Sequence, residues 1–154
     1  MILSSMTENN QEFINLGNSR REDQREVMET INDNKECPFC EDNLHKYHKV
    51  PILRQGEHWT FTDNQWPYEH TQYQFLAIAR QHLQTLSELP PGSFDELLGH
   101  FQWAEQEFQV AYGGLAMRFG DIRQTGATVN HLHAHMIVPE PDLPSEEKVR
   151  FKIG

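Results

Sequence analysis

The stretch His131-Leu132-His133-Ala134-His135-Met136-Ile137-Val138 constrains this chain more than any other. Three histidines alternate with apolar residues, and an extended strand sends successive side chains to opposite faces with a period of two. The spacing predicts a strand whose Leu132, Ala134 and Met136 enter a core while the three imidazoles share the other face. Gly126-Ala127-Thr128-Val129-Asn130 leads into this strand and Pro139 closes it. A histidine ladder in that frame reads as metal or catalytic chemistry rather than as three solvated side chains.

The remaining elements are read from patterning. Residues 1–19 are polar and weakly patterned and are expected to form a mobile arm. Residues 20–33 carry Val27, Met28 and Ile31 at helical spacing, which predicts a short amphipathic helix. Trp59 and Phe61 alternate within a strand over 57–62, a turn follows at 63–67, and the apolar run 73–79 is a second strand, so an antiparallel meander is expected. After Pro90-Pro91-Gly92, Ser93 reads as an N-cap with Glu96 completing a capping box. Phe94, Leu97, Leu98, Phe101, Ala104, Phe108 and Ala111 then recur every three or four residues, the clearest helix in the chain, ended by Gly113-Gly114. A strand over 115–119, a loop over 120–126 and the histidine strand complete one domain over 20–139. Residues 140–154 are expected to be a loosely packed tail. Helices interspersed with antiparallel strands give the α+β class.

Charge and cysteine content narrow the chemistry. A net charge of −10 argues against binding polymeric nucleic acid or anionic membrane through a basic surface, while leaving room for a small nucleotide held by local donors. No apolar run reaches the length of a membrane span, and the N-terminus lacks the pattern of a signal peptide, so a cytoplasmic location is expected. The two cysteines, Cys37 and Cys40, bracket Pro38-Phe39. This spacing suits one metal held in a tight knuckle; a redox pair, expected to follow a strand and start a helix, and two structural thiols are the alternatives. His45 and His48 are rival metal ligands by proximity in sequence, or plain loop residues.

The run Thr125-Gly-Ala-Thr-Val-Asn-His-Leu-His-Ala-His-Met-Ile-Val138 resembles the signature of the histidine-triad (HIT) nucleotide-binding proteins, and the resemblance extends upstream to about Cys37. It implies a HIT-like fold: a five-stranded antiparallel sheet with a long packed helix, joined to a second copy in a homodimer. It also implies a hydrolase or transferase acting at the α-phosphate of a purine nucleotide. In such a site His133 attacks phosphorus and forms a nucleotidyl-histidine, His135 stabilises the phosphate, and Thr128 donates to the phosphate and leaving group. Gly126 and Ala127 fall where the backbone approaches the phosphates, and Asn64 resembles the residue that binds the ribose hydroxyls. Many members carry Gln at the position of Ala127, and Asn where this chain has Arg118; Arg118 is expected to bring charge to a phosphate instead. The zinc-containing branches of the superfamily imply a ligand set of Cys37, Cys40, His82 and His131, with zinc in a structural role. Phosphoramidates and dinucleoside polyphosphates are the substrates this resemblance suggests, and a binding module with little turnover is the second reading. Phe39 and Trp59 are candidates for stacking on the base.

Overall fold

A computed structural model of the protein describes residues 12–154. Five strands, β1 (Ile52–Gln55), β2 (Trp59–Asp63), β3 (Thr71–Ala79), β4 (Gly114–Arg118) and β5 (His133–Pro139), form one antiparallel sheet in the order β1-β2-β3-β5-β4. The last strand in the chain is thus inserted between β3 and β4. Four helices, α1 (Glu22–Asn34), α2 (Glu41–Tyr47), α3 (Ser93–Glu107) and α4 (Ile122–Thr125), accompany it. This is the α+β architecture expected, with a long helix packed on a five-stranded sheet.

Alternation along the strands separates the two faces of the sheet. Trp59 and Phe61 of β2, Phe75, Ala77 and Ala79 of β3, and Ala134 and Met136 of β5 pack with Leu97, Phe101 and Ala104 of α3 into one apolar core. The Phe61 and Phe75 rings stack at 5.5 Å. Trp59 is fully buried in this layer, where its indole N–H donates to the Ser93 carbonyl at 2.8 Å. It is therefore a core residue, on the wrong face to stack on a nucleotide base. On the opposite face Leu76 and Ile78 meet Leu44 of α2 and Phe39.

Several local expectations change. Gly92, at φ 81°, caps α3, and Ser93 is its first, buried residue. The Glu96 carboxylate is not spent on a capping box; it accepts from the His58 and Trp59 amides at 3.0 and 2.7 Å and fixes the β1–β2 turn. The helix ends at Glu107, short of Gly113, and Phe94 and Leu98 lie off its buried stripe and are half exposed. Residues 120–126, expected as loop, include α4, and β1 and α2 arise in a segment with no clear periodicity.

The expected arm over 1–19 falls partly outside the described residues, and its remainder is packed. Ile14 is 2% exposed and bridges Val129, and the Asn15 and Asn130 amides donate at 2.8 Å to the Thr128 and Phe13 carbonyls. Residues 140–154 likewise return across the sheet: Arg118 donates to the Lys152 carbonyl, and Phe151 packs against His135. The Phe151 ring and the Lys152 carbonyl of this segment thus find partners on the sheet that a polar tail in water lacks. Among the described residues no helix is long and apolar enough to cross a membrane.

Candidate functional site

Cross-strand register gathers the site. In β5, His133 lies opposite Ile78 of β3 and Arg118 of β4, and His135 lies opposite Leu76 and Ala116. Residues directly opposite share a face, so Arg118, His133 and His135 line up on the side away from α3. His131 stands just before β5 rather than within it. The expected ladder of three is therefore two strand histidines and one at the strand's entrance.

Hydrogen bonds assign the ring nitrogens. His133 Nδ1 lies 2.6 Å from the His131 carbonyl, an acceptor only, so Nδ1 carries the proton and Nε2 keeps its lone pair. Gln74 sets His135 the other way. Its Oε1 accepts from the Tyr68 amide at 2.6 Å, which leaves its Nε2–H₂ to donate to His135 Nδ1 at 3.0 Å. The proton of His135 is then on Nε2, a buried donor that has no hydrogen-bond partner among the described residues. Burial holds both rings neutral: the His133 imidazole is pushed down to about 4 and that of His135 lies well below its ordinary value, with the Arg118 charge adding to each effect.

A cavity of about 970 Å³ opens over these rings, within the range of a small-molecule site. Asn64, Gly126, Thr128, Arg118, His133, His135 and Phe39 line it. Asn64 Oδ1 accepts from the Trp66 amide in a turn. Thr128 Oγ1 donates to the Asn18 carbonyl at 3.1 Å. Gly126 sits at φ 80°, and a Cβ there would lie 3.0 Å from the Lys152 carbonyl oxygen, so its expected closeness to a ligand is matched by contact with the chain's own backbone. The Ala127 side chain is buried away from this cavity. Phe39 meets His133 edge-on at 5.1 Å.

Patterning gave no reason to select Gln74, Tyr68 or Arg20. Gln74 alternates in register with Leu76 and Ile78, and that signal was present but indistinct from an ordinary exposed position. Tyr68 stacks on His135 at 5.8 Å, and the Arg20 guanidinium lies 4.1 Å from the Tyr68 ring.

Next to the triad, Cys37, Cys40, His82 and His131 bring one ligand atom each within 4.8 Å of one another. Cys37 Sγ is 3.3 Å from His131 Nδ1, Cys40 Sγ is 3.4 Å from His82 Nδ1, and the two imidazole nitrogens are 3.2 Å apart. A tetrahedron with zinc-like bond lengths has edges of about 3.6 Å between sulfur and nitrogen and about 3.3 Å between nitrogens, so the donor set fits such an ion. His131 Nε2 lies 2.5 Å from the Ala79 carbonyl and must donate to it, which turns the Nδ1 lone pair toward the cluster. Cys40 also precedes α2, so the helix expected of a redox pair is present; the two imidazoles at the thiols are the feature that pair does not require. His45 is exposed and His48 meets Thr62 Oγ1 at 2.6 Å, so neither joins the cluster.

Residues 69–142 match the family model described as HIT domain. Similar folds are found in a hypothetical histidine triad nucleotide-binding protein from Sulfolobus tokodaii (20% identity, 76% of this chain and 78% of that one, TM-score 0.53) and a hypothetical protein from Leishmania major (18%, 72% and 75%, TM-score 0.53). A third is described as a Hit-like protein (16%, 60% and 88%, TM-score 0.50). No curated protein matches the sequence. The fold and the paired histidines define a histidine-triad protein. More particularly, residues 69–142 belong to the HIT-domain family, and the chain carries a Cys2His2 cluster able to coordinate a metal.

Proposed function

We propose that the protein is a nucleotide hydrolase or nucleotidyltransferase that works through a nucleotidyl-histidine on His133. The observation that carries this reading is the opposed protonation of two adjacent rings. His133 offers a lone pair at Nε2, while His135 offers an N–H at Nε2 with nothing yet to receive it. The first suits a nucleophile toward phosphorus and the second a donor to a phosphoryl oxygen. In the forward step the His133 Nε2–P bond forms and the bond from phosphorus to the leaving group breaks. Water then attacks phosphorus, the N–P bond breaks, and the nucleoside monophosphate departs. Thr128 and the Gly126 backbone are assigned to the phosphate, Asn64 to the ribose and Phe39 to a purine base, as the family resemblance suggests.

Cys37, Cys40, His82 and His131 are assigned to a structural zinc. Four protein donors leave no position for water, so the ion supplies a cross-link and not a reacting centre. The chain's own contribution is to hold the His131 carbonyl, and with it the His133 tautomer. Homodimerisation is part of the proposal. β4 is an edge strand whose Leu115, like Phe119 just after it, is more than half exposed, and Phe94 and Leu98 of α3 add apolar surface; Phe101 and Phe108 of the same helical run belong to the core layer. Sedimentation at micromolar concentration should show a dimer, and monomer alone would remove that part.

Rapid quench with a nucleotide labelled at the α-phosphate tests the mechanism. Label should be trapped on the protein in an acid-labile, base-stable bond that maps to His133. Label on another residue, or nucleotide binding with no turnover across a panel of phosphoramidates, dinucleoside polyphosphates and nucleotide sugars, would overturn it in favour of a binding module.

A further inference from the structure

The chain is strongly acidic, yet the triad cavity is lined by six basic side chains against three acidic ones. Two of the six stand closest to the histidines. Arg118 faces His133 across β4 and β5, and Arg20 lies over Tyr68, which stacks on His135. Arg118 Nη1 donates to the same Tyr68 hydroxyl at 3.2 Å, so one tyrosine is flanked by two guanidiniums. Among the described residues neither arginine is within ion-pair distance of a carboxylate, although Arg21, Arg25, Arg80 and Arg123 all are. Their acceptors are neutral: Arg20 donates to the Trp66 carbonyl, and Arg118 gives Nε and Nη2 to the Lys152 carbonyl at 2.8 and 2.6 Å. Nε and Nη2 are the same pair of donors that arginine presents to two oxygens of a phosphate, here both turned to one carbonyl. Arg118 is half-buried and Arg20 stands exposed at the cavity, and with no carboxylate in ion-pair range of either, the two guanidiniums present unmet positive charge to an anion. The α-phosphate already has His135, Thr128 and the Gly126 backbone.

We propose that Arg20 and Arg118 form a clamp for a second phosphate of the substrate, so that the group leaving the α-phosphorus is a phosphate or polyphosphate rather than an amine. This rests on the nucleotidyl-histidine reading of the same site. As the His133 Nε2–P bond forms and the bridging P–O bond breaks, the electron pair passes to the leaving phosphate oxygen, and the guanidiniums meet the charge that develops there. The Lys152 carbonyl holds the place of that phosphate oxygen and is exchanged for it when substrate enters.

Binding of mono- and diphosphates to the full chain separates the clamp from the chemistry. Calorimetry should show the nucleoside diphosphate bound about tenfold or more tightly than the monophosphate of the same base, the increment of a charge-assisted contact. Arg118→Ala and Arg20→Ala should each bring that ratio close to one, and Arg118→Lys should restore only part of it. The ratio of kcat/KM for a dinucleoside polyphosphate over a phosphoramidate should fall in parallel. Equal affinity for the two nucleotides in the wild type, or a ratio unmoved by either substitution, would overturn the clamp while leaving His133 labelling intact. So would monophosphate affinity raised as much by free inorganic phosphate, since the second anion would then be a co-substrate. Failure of the labelling experiment with the ratio present would remove the catalytic reading and keep the clamp as a binding device. Failure of both nucleotides to bind would remove both.

Discussion

The two faces of the sheet use alternate residues of the same strands to opposite ends. On the α3 side, Phe61, Phe75, Ala134 and Met136 are buried against one another. On the other side, their immediate neighbours Gln74 and His135 are also buried and His133 is half-buried, but among groups that fix protons and leave donors unspent. Burial lowers free energy on the first face by removing apolar surface from water. On the second it costs stability and sets protonation, because a low-dielectric surround keeps imidazole neutral. Adjacent residues of β5 can therefore be substituted with separable consequences.

The largest effect is expected from His133→Ala, which should lower turnover by roughly three orders of magnitude or more while leaving the melting temperature nearly unchanged, since the lost interaction belongs to the reaction path. Kinetics and thermal melting on one preparation check both halves; a large loss of stability would mean that the faces are not separable. Phe61→Ala should do the converse, costing about 3–5 kcal/mol in denaturant unfolding with activity per folded molecule retained. Cys37→Ser is expected to fall between, losing the metal, several degrees of thermal stability and part of the activity, because His131 is held by the cluster and holds His133 in turn. Burial pushes the metal-free Cys37 thiol up to about 12, so binding a metal must release its proton, and chelator competition should show affinity weakening about tenfold per pH unit for each proton displaced as pH falls. Gln74→Leu should be milder, about tenfold in rate, by freeing the His135 tautomer. A further test of the second face is stability against pH. With His133 near 4 in the native state and about 6.5 unfolded, the unfolded chain alone takes up the proton between those values. Stability should thus fall as pH drops through that window, and His135, held lower still, extends the fall below it; stability that rises on acidification would contradict neutral rings in the native state.

Much of this was legible in sequence because it is periodic. Met28 and Ile31 of α1, the alternation through β2, β3 and β5, and the Leu97–Phe101–Ala104 stripe of α3 each repeat a local rule that tertiary contacts then satisfy. The ligand set of Cys37, Cys40, His82 and His131 came from resemblance, and the geometry brings those four together. What escaped depends on partners far away in the chain. Ile14 looks like part of a polar arm until Val129 pairs with it. Glu96 looks like a helix cap until the His58 and Trp59 amides claim it. Gln74 is one more polar residue in a strand until Tyr68 and His135 take its two ends. β1 has four residues at the sheet's edge, with neither end buried, so no alternation marks it.

The placement of β5 between β3 and β4 has a consequence for the order of assembly. β1, β2 and β3 follow one another through short turns and can pair early, whereas β5 reaches β3 only after the helical excursion through α3 and β4. Closing a long loop costs entropy that must be recovered by later contacts, so such pairings form slowly. The Cys37–His131 contact spans 94 positions and is completed only when β5 has docked. A refolding chain should therefore regain most of its circular dichroism before it can carry label on His133, and metal added after that lag should be taken up more slowly than metal present from the start.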